Sequence, residues 1–430
     1  MGTCPQEQLT DDDEFSETEE LRLIKHCRLC QGSSFQTVFD LGTTAFTGVF
    51  PSSAHEDIGG GPLRLVMCRA CGLVQLADSF ALDVLYGENY GYRSGLNASM
   101  TEHLAHTATR LASRSGLQPG DVVLDIGAND GSLLHSYHTN GIVRVAIDPT
   151  ISKFHEFYEK DAICIPDFFS AEQFDRVSSR RAKIVTSIAM FYDLEDPVTF
   201  ARDVHHVLSD DGLWHFEQSY MPWMLRSGAY DTVCHEHLEY YSLTNIMQVL
   251  DIAGFTLIDV ATTDINGGSI AVTAAKKGSG LASECMLAHW LLHQEKLDRV
   301  HELESWQRFA EGVSRLQSDL FDLLVRIRDA GKTVAGLGAS TKGNVVLQTS
   351  GIGRDLLGVV GDVNPDKFGR FLPGTYIPIT SENAVLEQNP DFLLVLPWHF
   401  RNSFMSNLSP YLANGGRLIF PLPNIEVTGY

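Results

Sequence analysis

The stretch Val122–Ser132, VVLDIGANDGS, decides how this chain is read. Its apolar run (Val122, Val123, Leu124, Ile126) predicts a buried parallel strand. A turn holding Gly127 and Gly131 follows, and LLHSY resumes with helical spacing. Twenty-one positions after Gly127 a second apolar run, VRVAI, closes on Asp148. A glycine turn between strand and helix lets a ligand approach the backbone, and an acid ending the next strand can grip a ribose diol. The pattern departs from a dinucleotide fingerprint: Asp125 precedes the first glycine, and Asn129 stands where a middle glycine is usual. Asparagine tolerates the left-handed conformation, so the turn survives. A bare strand–helix turn would leave the paired Asp148 without a reason.

Around this stretch, residues 117–260 alternate strand and helix (VVLDI, VRVAI, AICI, AKIVTSIAM, GLWHFEQ, FTLIDVA), the pattern of a parallel α/β sheet. Just upstream, Tyr86, Tyr90 and Tyr92 share a glycine-punctuated loop with Arg93, Ser94 and Asn97. Any single tyrosine there could be plain packing; the cluster reads as a lid or pocket wall. Downstream, Phe216–Leu243 carries Cys234-His235-Glu236-His237 and then Glu239, Tyr240 and Tyr241. The spacing is not H-E-x-x-H, so a helical zinc-protease site fails. In an extended segment His235 and His237 would share one face. A metal site from His235, His237 and Glu239 and histidines without a role both stay open. General-base chemistry is favoured, because histidine titrates near neutral pH and a neighbouring carboxylate can orient it.

A second α/β unit begins at TVAGLGASTKGNVVL. Gly336-x-Gly338-x-x-Thr341 lacks the third glycine of the dinucleotide fingerprint, and Lys342 follows the turn at a predicted helix N-terminus. Backbone N–H groups plus one ammonium suit a phosphate or diphosphate. The next strand ends in Asp362. Between the two units, residues 283–330 read as helix, with Trp306, Phe309, Val313, Leu316, Leu320, Leu323 and Ile327 forming a core face.

Composition narrows the partners. The 430 residues hold 32 basic and 54 acidic side chains, a net charge of −22. That argues against nucleic acid or an anionic membrane as a bulk partner, though a few placed cations could still hold an anionic small ligand. With no membrane-length apolar run and no signal-peptide core at the start, the chain is expected to be cytoplasmic. Residues 11–20 hold seven acids, and 1–20 are expected to form a disordered acidic tail. Cys27-x-x-Cys30 and Cys68-x-x-Cys71 are two knuckles 37 residues apart. Two such turns offer four thiolates to one tetrahedral zinc, a closed and therefore structural site. Redox dithiols or plain buried cysteines are the alternatives.

Taken in order, C-x-x-C/C-x-x-C, VQL, NYGYRSG, VLDIGANDGSLL, D-x-F-S, CHEHLEYYS, NGGS, GLGASTKGN and NPDKFGRFLPGT resemble the sugar C-methyltransferase family that acts on nucleotide-linked 4-keto-deoxysugars. D-x-G-x-N-x-G itself looks like the S-adenosylmethionine (SAM) loop of class I methyltransferases. The resemblance implies a zinc module at 21–80, a SAM methyltransferase domain at 81–282 and a Rossmann-like nucleotide-sugar domain at 283–430. It assigns Asp125, Gly127, Asn129, Gly131, Asp148 and Asp167 to SAM, with Asp167 near adenine. It makes His237 the base, Glu236 its orienting carboxylate and Tyr92 an active-site hydroxyl, and it puts Tyr90, Lys342 and Asn344 at the sugar nucleotide. The expected assembly is a monomer or weak homo-oligomer, with the zinc remote from the chemistry. Cys234 stands where some relatives have a tyrosine. TTAFTGVF departs from a proline-containing version, which should affect packing near the zinc more than chemistry. An O- or N-methyltransferase, a nicotinamide oxidoreductase using the second unit, and a non-catalytic scaffold are the competing readings.

Overall fold

The computed structural model describes residues 21–80, 92–283 and 286–428. The acidic tail and the tyrosines Tyr86 and Tyr90 lie outside the described residues.

The first segment supplies β1 (Leu21–Leu23), β2 (Phe35–Ala45), β3 (Gly60–Cys68), β4 (Val74–Leu76) and β5 (Asp78–Phe80). β2, β3 and β4 pair antiparallel, and β1 pairs with β5. The two cysteine knuckles turn alike. In each, the amide four residues after the first cysteine returns to that cysteine's carbonyl (Gln31 to Cys27, Gly72 to Cys68, both 2.9 Å). Both residues are left-handed, at φ 60° and 77°.

The second segment gives β6 (Val122–Ile126), β7 (Val143–Ile147), β8 (Ile163–Ile165), β9 (Ala182–Ile188), β10 (Leu208–Ser219), β11 (Glu239–Tyr240), β12 (Phe255–Thr263) and β13 (Ser269–Lys276). Seven of these form one sheet in the order β12-β13-β10-β9-β6-β7-β8. Its central strands are parallel, and β13 runs antiparallel between β10 and β12. Every residue of β6 is buried, as its apolar run requires. β11 leaves this sheet altogether. It pairs with β4 (Glu239 opposite Gln75, Tyr240 opposite Val74) and so completes the sheet of the cysteine module.

The helical stretch resolves into Met286–Leu297 and Leu303–Asp329, broken beside the left-handed Arg299 (φ 53°). Trp306, Phe309, Val313, Leu320 and Ile327 are buried as expected; Leu324 takes the place expected for Leu323, which is only partly buried. The last segment holds β14 (Val334–Leu337), β15 (Val360–Asp362), β16 (Ile379–Ser381), β17 (Phe392–Val395), β18 (Arg417–Phe420) and β19 (Glu426–Val427). They form a sheet in the order β16-β15-β14-β17-β18-β19, parallel except for β19.

Among their parallel strands the two sheets reverse strand order between β6 and β9 and between β14 and β17, and ligands of such sheets bind outside the strand ends at that point. One hydrophobic core joins Val38, Phe39, Leu63 and Leu65 of the cysteine module to Trp306 and Phe309 and to the β14–β18 strands. Among the described residues no helix is long and apolar enough to cross a membrane.

Candidate active site

Both reversal points open onto one cavity of about 420 Å³. Gly127, Asn129 and Asp148 line one end; Ser340, Thr341 and Lys342 line the other, with Glu236 and His237 also on its wall.

At the β6 end the turn is held by its own acids. Asn129 is left-handed at φ 50°, as expected. Its amide donates to Asp148 Oδ2 at 2.8 Å, while Asp148 Oδ1 accepts from the Thr150 amide and hydroxyl, both at 2.6 Å. Asp125 accepts from the Thr186 hydroxyl at 2.6 Å; burial, reinforced by the nearby Asp148, pushes its carboxyl up to about 7. Gly127 sits at φ 70° with Met190 so close that a Cβ would stand 2.9 Å from its side chain. Gly131 backs onto the Tyr158 ring and is not on the cavity surface, so its part is to shape the turn. Asp167 lines the cavity and accepts from Gln173 Nε2 at 2.6 Å.

The loop before the Ala98–Ser115 helix is clamped onto this turn. Ser94 N donates to Asn129 Oδ1 (2.9 Å), Gly95 N to Asp130 Oδ2 (2.8 Å), and Asn129 Nδ2 to the Tyr92 carbonyl (3.2 Å). The loop is therefore a pocket wall, and Tyr92 lines the cavity with a phenol that is protonated at neutral pH.

The CHEH stretch is a turn and not a strand, which corrects the expected face-sharing of His235 and His237. His235 is wedged edge-on between the Phe46 and Phe80 rings, and its Nε2 meets the Gly61 carbonyl at 3.2 Å. Among the described residues His235, His237 and Glu239 form no metal-binding group. His237 points into the cavity with its ring on Tyr192, centroids 4.2 Å apart. Its Nδ1 lies 2.7 Å from the Thr232 carbonyl. A carbonyl only accepts, so Nδ1 carries the proton and Nε2 keeps a lone pair. Burial first, then the Lys342 ammonium, push this imidazole down to about 3, against the upward pull of the Thr232 bond.

The orienting partner of His237 is thus a backbone carbonyl and not Glu236. Glu236 lies on the cavity wall with Oε2 buried and without a hydrogen-bond partner, and burial holds its carboxyl above its ordinary value. Gly48 packs against it so closely that a Cβ would overlap its carboxylate oxygen. The TTAFTGVF stretch, expected to matter for packing near the zinc, also reaches the cavity: Gly48 and Phe50 line it. It is tied down from the third segment by Asn344 Nδ2 on the Thr47 carbonyl (2.7 Å) and Arg370 on the Phe50 carbonyl (3.0 Å). Asn344, expected at the substrate, is buried in that junction and is not on the cavity surface.

At the β14 end, Ser340 caps the Thr341–Thr349 helix through Gly343 N. Lys342 crosses to the Asn266 carbonyl of the NGGS turn at 2.5 Å. Asp362 repeats the device of Asp148, holding Ala339 N with one oxygen (2.7 Å) and Asn364 N with the other (2.8 Å). Lys367 lies 4.7 Å over the Phe50 ring. Lys367 lies within the NPDKFGRFLPGT stretch without having been singled out, and His399 and Asp231 had no motif to announce them. Asp231 is buried and accepts from Trp398 Nε1 at 2.7 Å.

The four knuckle cysteines bring their sulfurs within 4.8 Å of one another, with Cys27–Cys71 at 3.6 Å and Cys30–Cys68 at 3.5 Å. A tetrahedral zinc with ~2.3 Å Zn–S bonds needs edges of about 3.8 Å, so these donors fit. Gln75 Nε2 donates to Cys27 at 3.2 Å, an outer contact of the kind that orients a ligand. Arg28, between the knuckle cysteines, reaches Glu195 on the cavity wall at 3.4 Å.

This sheet, with its glycine turn and paired acids, defines a class I SAM-dependent methyltransferase. Three family profiles match in succession: one described as zinc binding at residues 27–86, a methyltransferase domain at 96–260, and a C-methyltransferase C-terminal domain at 264–423. The C-methyltransferase NovU of Streptomyces niveus is 31% identical over 413 residues, covering 95% of this chain and 97% of that one. The chain belongs to this family of three-part, SAM-dependent C-methyltransferases. Among solved structures, the plantazolicin methyltransferase BamL, in complex with a triazolic desmethylPZN analog and SAH, aligns over 42% of this chain and 86% of its own at 16% identity and TM-score 0.34. The magnesium protoporphyrin IX methyltransferase of Synechocystis PCC 6803 aligns over 41% and 79% at 13% identity and TM-score 0.32.

Proposed function

We propose that the protein removes a proton from C3 of a nucleotide-linked 4-keto-deoxysugar and methylates that carbon, leaving a branched sugar. The observation that carries this reading is the order of groups in one cavity: the glycine turn and Asp148 at one end, the lone pair of His237 on the wall, Lys342 at the other end. Asp148 would hold the ribose of SAM, and Asp125 and Asp167 would line the rest of its site. When bound, SAM supplies an electrophilic methyl group.

The carbon must first become nucleophilic. A C–H beside a ketone is acidic because the resulting electron pair delocalises onto the carbonyl oxygen. His237 Nε2 takes the C3 proton, and the pair left behind forms an enolate with its charge on O4. The Tyr92 phenol donates to that oxygen. The imidazolium keeps its Nδ1–H on the Thr232 carbonyl throughout. Glu236, with one unpartnered oxygen on the wall, would take a sugar hydroxyl. Lys342 would pair with the diphosphate. That pairing offsets the ammonium charge which holds the base down, so the substrate's own anion raises the basicity of His237. A zinc held by the four cysteines would have no open position and would take no part in proton transfer.

The test is proton exchange. In D₂O with S-adenosylhomocysteine, which cannot donate a methyl group, the enzyme should wash deuterium into C3 of a 4-keto nucleotide sugar. His237→Asn should not. Exchange that persists in His237→Asn would move the base elsewhere, and no exchange in the parent enzyme across a panel of such sugars would end the carbon-acid reading.

A further inference from the structure

His399 belongs to the short turn Trp398–Phe400 that follows β17, at the C-terminal end of the strand where the second sheet reverses. It lines the same cavity as Lys342 and Lys367. Its ring packs on Phe400 (4.2 Å between centroids) and edge-on to Trp398 (5.8 Å). Gly267, of the turn that receives Lys342, comes close enough that a Cβ there would stand 3.9 Å from His399 Cβ. Its Nδ1 is buried and has no hydrogen-bond partner. A buried polar nitrogen left without a partner is unfavourable, and a bound partner would recover that cost.

We propose that His399 is a second ligand of the substrate's diphosphate, beside Lys342, and that it takes up a proton as that diphosphate binds. The proposal rests on the nucleotide-sugar reading and adds a residue and a proton to it. The charged group that acts on His399 in the empty cavity is Lys342, which together with burial keeps the imidazole neutral. The other titratable groups around this end are few. Asp231 is held by Trp398, Lys367 is paired with Asp362 at 3.6 Å, and Arg401 is paired with Glu426 at 3.0 Å. Asp264 precedes the Ile265–Gly267 turn packed on this one. None of them gives His399 a partner for a positive charge, and an incoming diphosphate does. The two negative charges of the diphosphate then face two cations at its site, Lys342 and protonated His399. Neutral His399 could donate one hydrogen bond; protonated, it becomes a charge-assisted donor.

The probes are UDP-glucose and dTDP-glucose, which lack the 4-keto group and whose diphosphate diesters do not titrate near neutral pH. Calorimetry of the full-length, zinc-loaded protein in two buffers of different ionisation enthalpy should find net proton uptake at about pH 7.5, with affinity falling as pH rises. His399→Gln should weaken binding about tenfold or more and abolish the uptake, while S-adenosylhomocysteine binding, the control for folding, stays unchanged. His399→Lys, a fixed cation, should restore affinity without the pH dependence. If the probes bind the parent with no proton uptake, or His399→Gln keeps both uptake and affinity, the proposal is overturned and the nucleotide-sugar reading stands. If neither probe binds the parent, both fall. Should His399→Gln lose S-adenosylhomocysteine binding as well, the parent's proton uptake and His399→Lys decide.

Discussion

His237 gets its tautomer from a backbone carbonyl, and this makes a sharp prediction. Thr232→Ala leaves that carbonyl in place and should change kcat little, whereas His237→Asn should lower it by about 10²–10⁴, the range for a lost general base. S-adenosylhomocysteine titration of both variants checks that the cofactor end is intact. Lys342→Ala should raise the KM for the sugar nucleotide and leave that titration unchanged. It also removes a charge that pushes the His237 imidazole down, so the histidine resonance should titrate at higher pH in the empty variant. Three buried histidines add a pH effect on stability: burial pushes His235 down to about 4 and His237 and His399 down to about 3. Between those values and an unfolded value near 6.5, the unfolded chain binds protons that the folded one does not. Their contribution is therefore present above about pH 6.5 and lost as pH falls toward 3–4. Thermal unfolding followed from pH 7 to 4 should fall less steeply in His235→Gln than in the parent. Much of this scale was legible beforehand. Asp125, Asn129 and Asp148 announce themselves because strand, turn and acid follow one another along the chain. His399 and Asp231 carry no local pattern; 167 positions separate Asp231 from its partner Trp398, and only the fold brings them together.

Among elements, the loop between β2 and β3 departs from expectation, as the CHEH turn does. Its residues carry no charge between Thr43 and Phe50, and nothing in TTAFTGVF signals that Gly48 must leave room for the Glu236 carboxylate. Gly48→Ala should therefore destabilise by roughly 1–3 kcal/mol, as overpacking does, and should disturb the KM for the sugar more than S-adenosylhomocysteine affinity. Denaturant titration beside steady-state kinetics would separate the two effects. The cysteine knuckles, by contrast, were readable, because spacing and left-handed turns are local properties. Chelating the metal should lower the melting temperature by several degrees or more, since a structural zinc site contributes folding energy. Because Arg28 ties the knuckle to Glu195, metal loss should also weaken substrate binding before the protein unfolds. Both effects can be followed by calorimetry during titration with a chelator.

For the whole molecule, the alternation of strands and helices gave away two parallel sheets, since period and apolar runs carry through each unit. What the pattern could not give was the sharing between units. Residues of the cysteine module, of Met221–Tyr240 and of the last segment occupy one core, and that core has no sequence signature because its members lie hundreds of positions apart. A fragment ending at residue 282 would expose this core, and with zinc present it should still fail to give a single cooperative unfolding transition. The pairing of β11 with β4 carries this sharing into biosynthesis. Once residues 21–80 have left the ribosome all four zinc ligands are in hand, but the edge of their sheet stays bare until Glu239 and Tyr240 have been made. At about 5–20 residues per second that interval lasts roughly ten to thirty seconds, during which an open strand edge invites pairing with another nascent chain. The turn that carries His237 is translated just before the strand that closes this edge, so the catalytic turn and the finished module are completed within the same moment of synthesis.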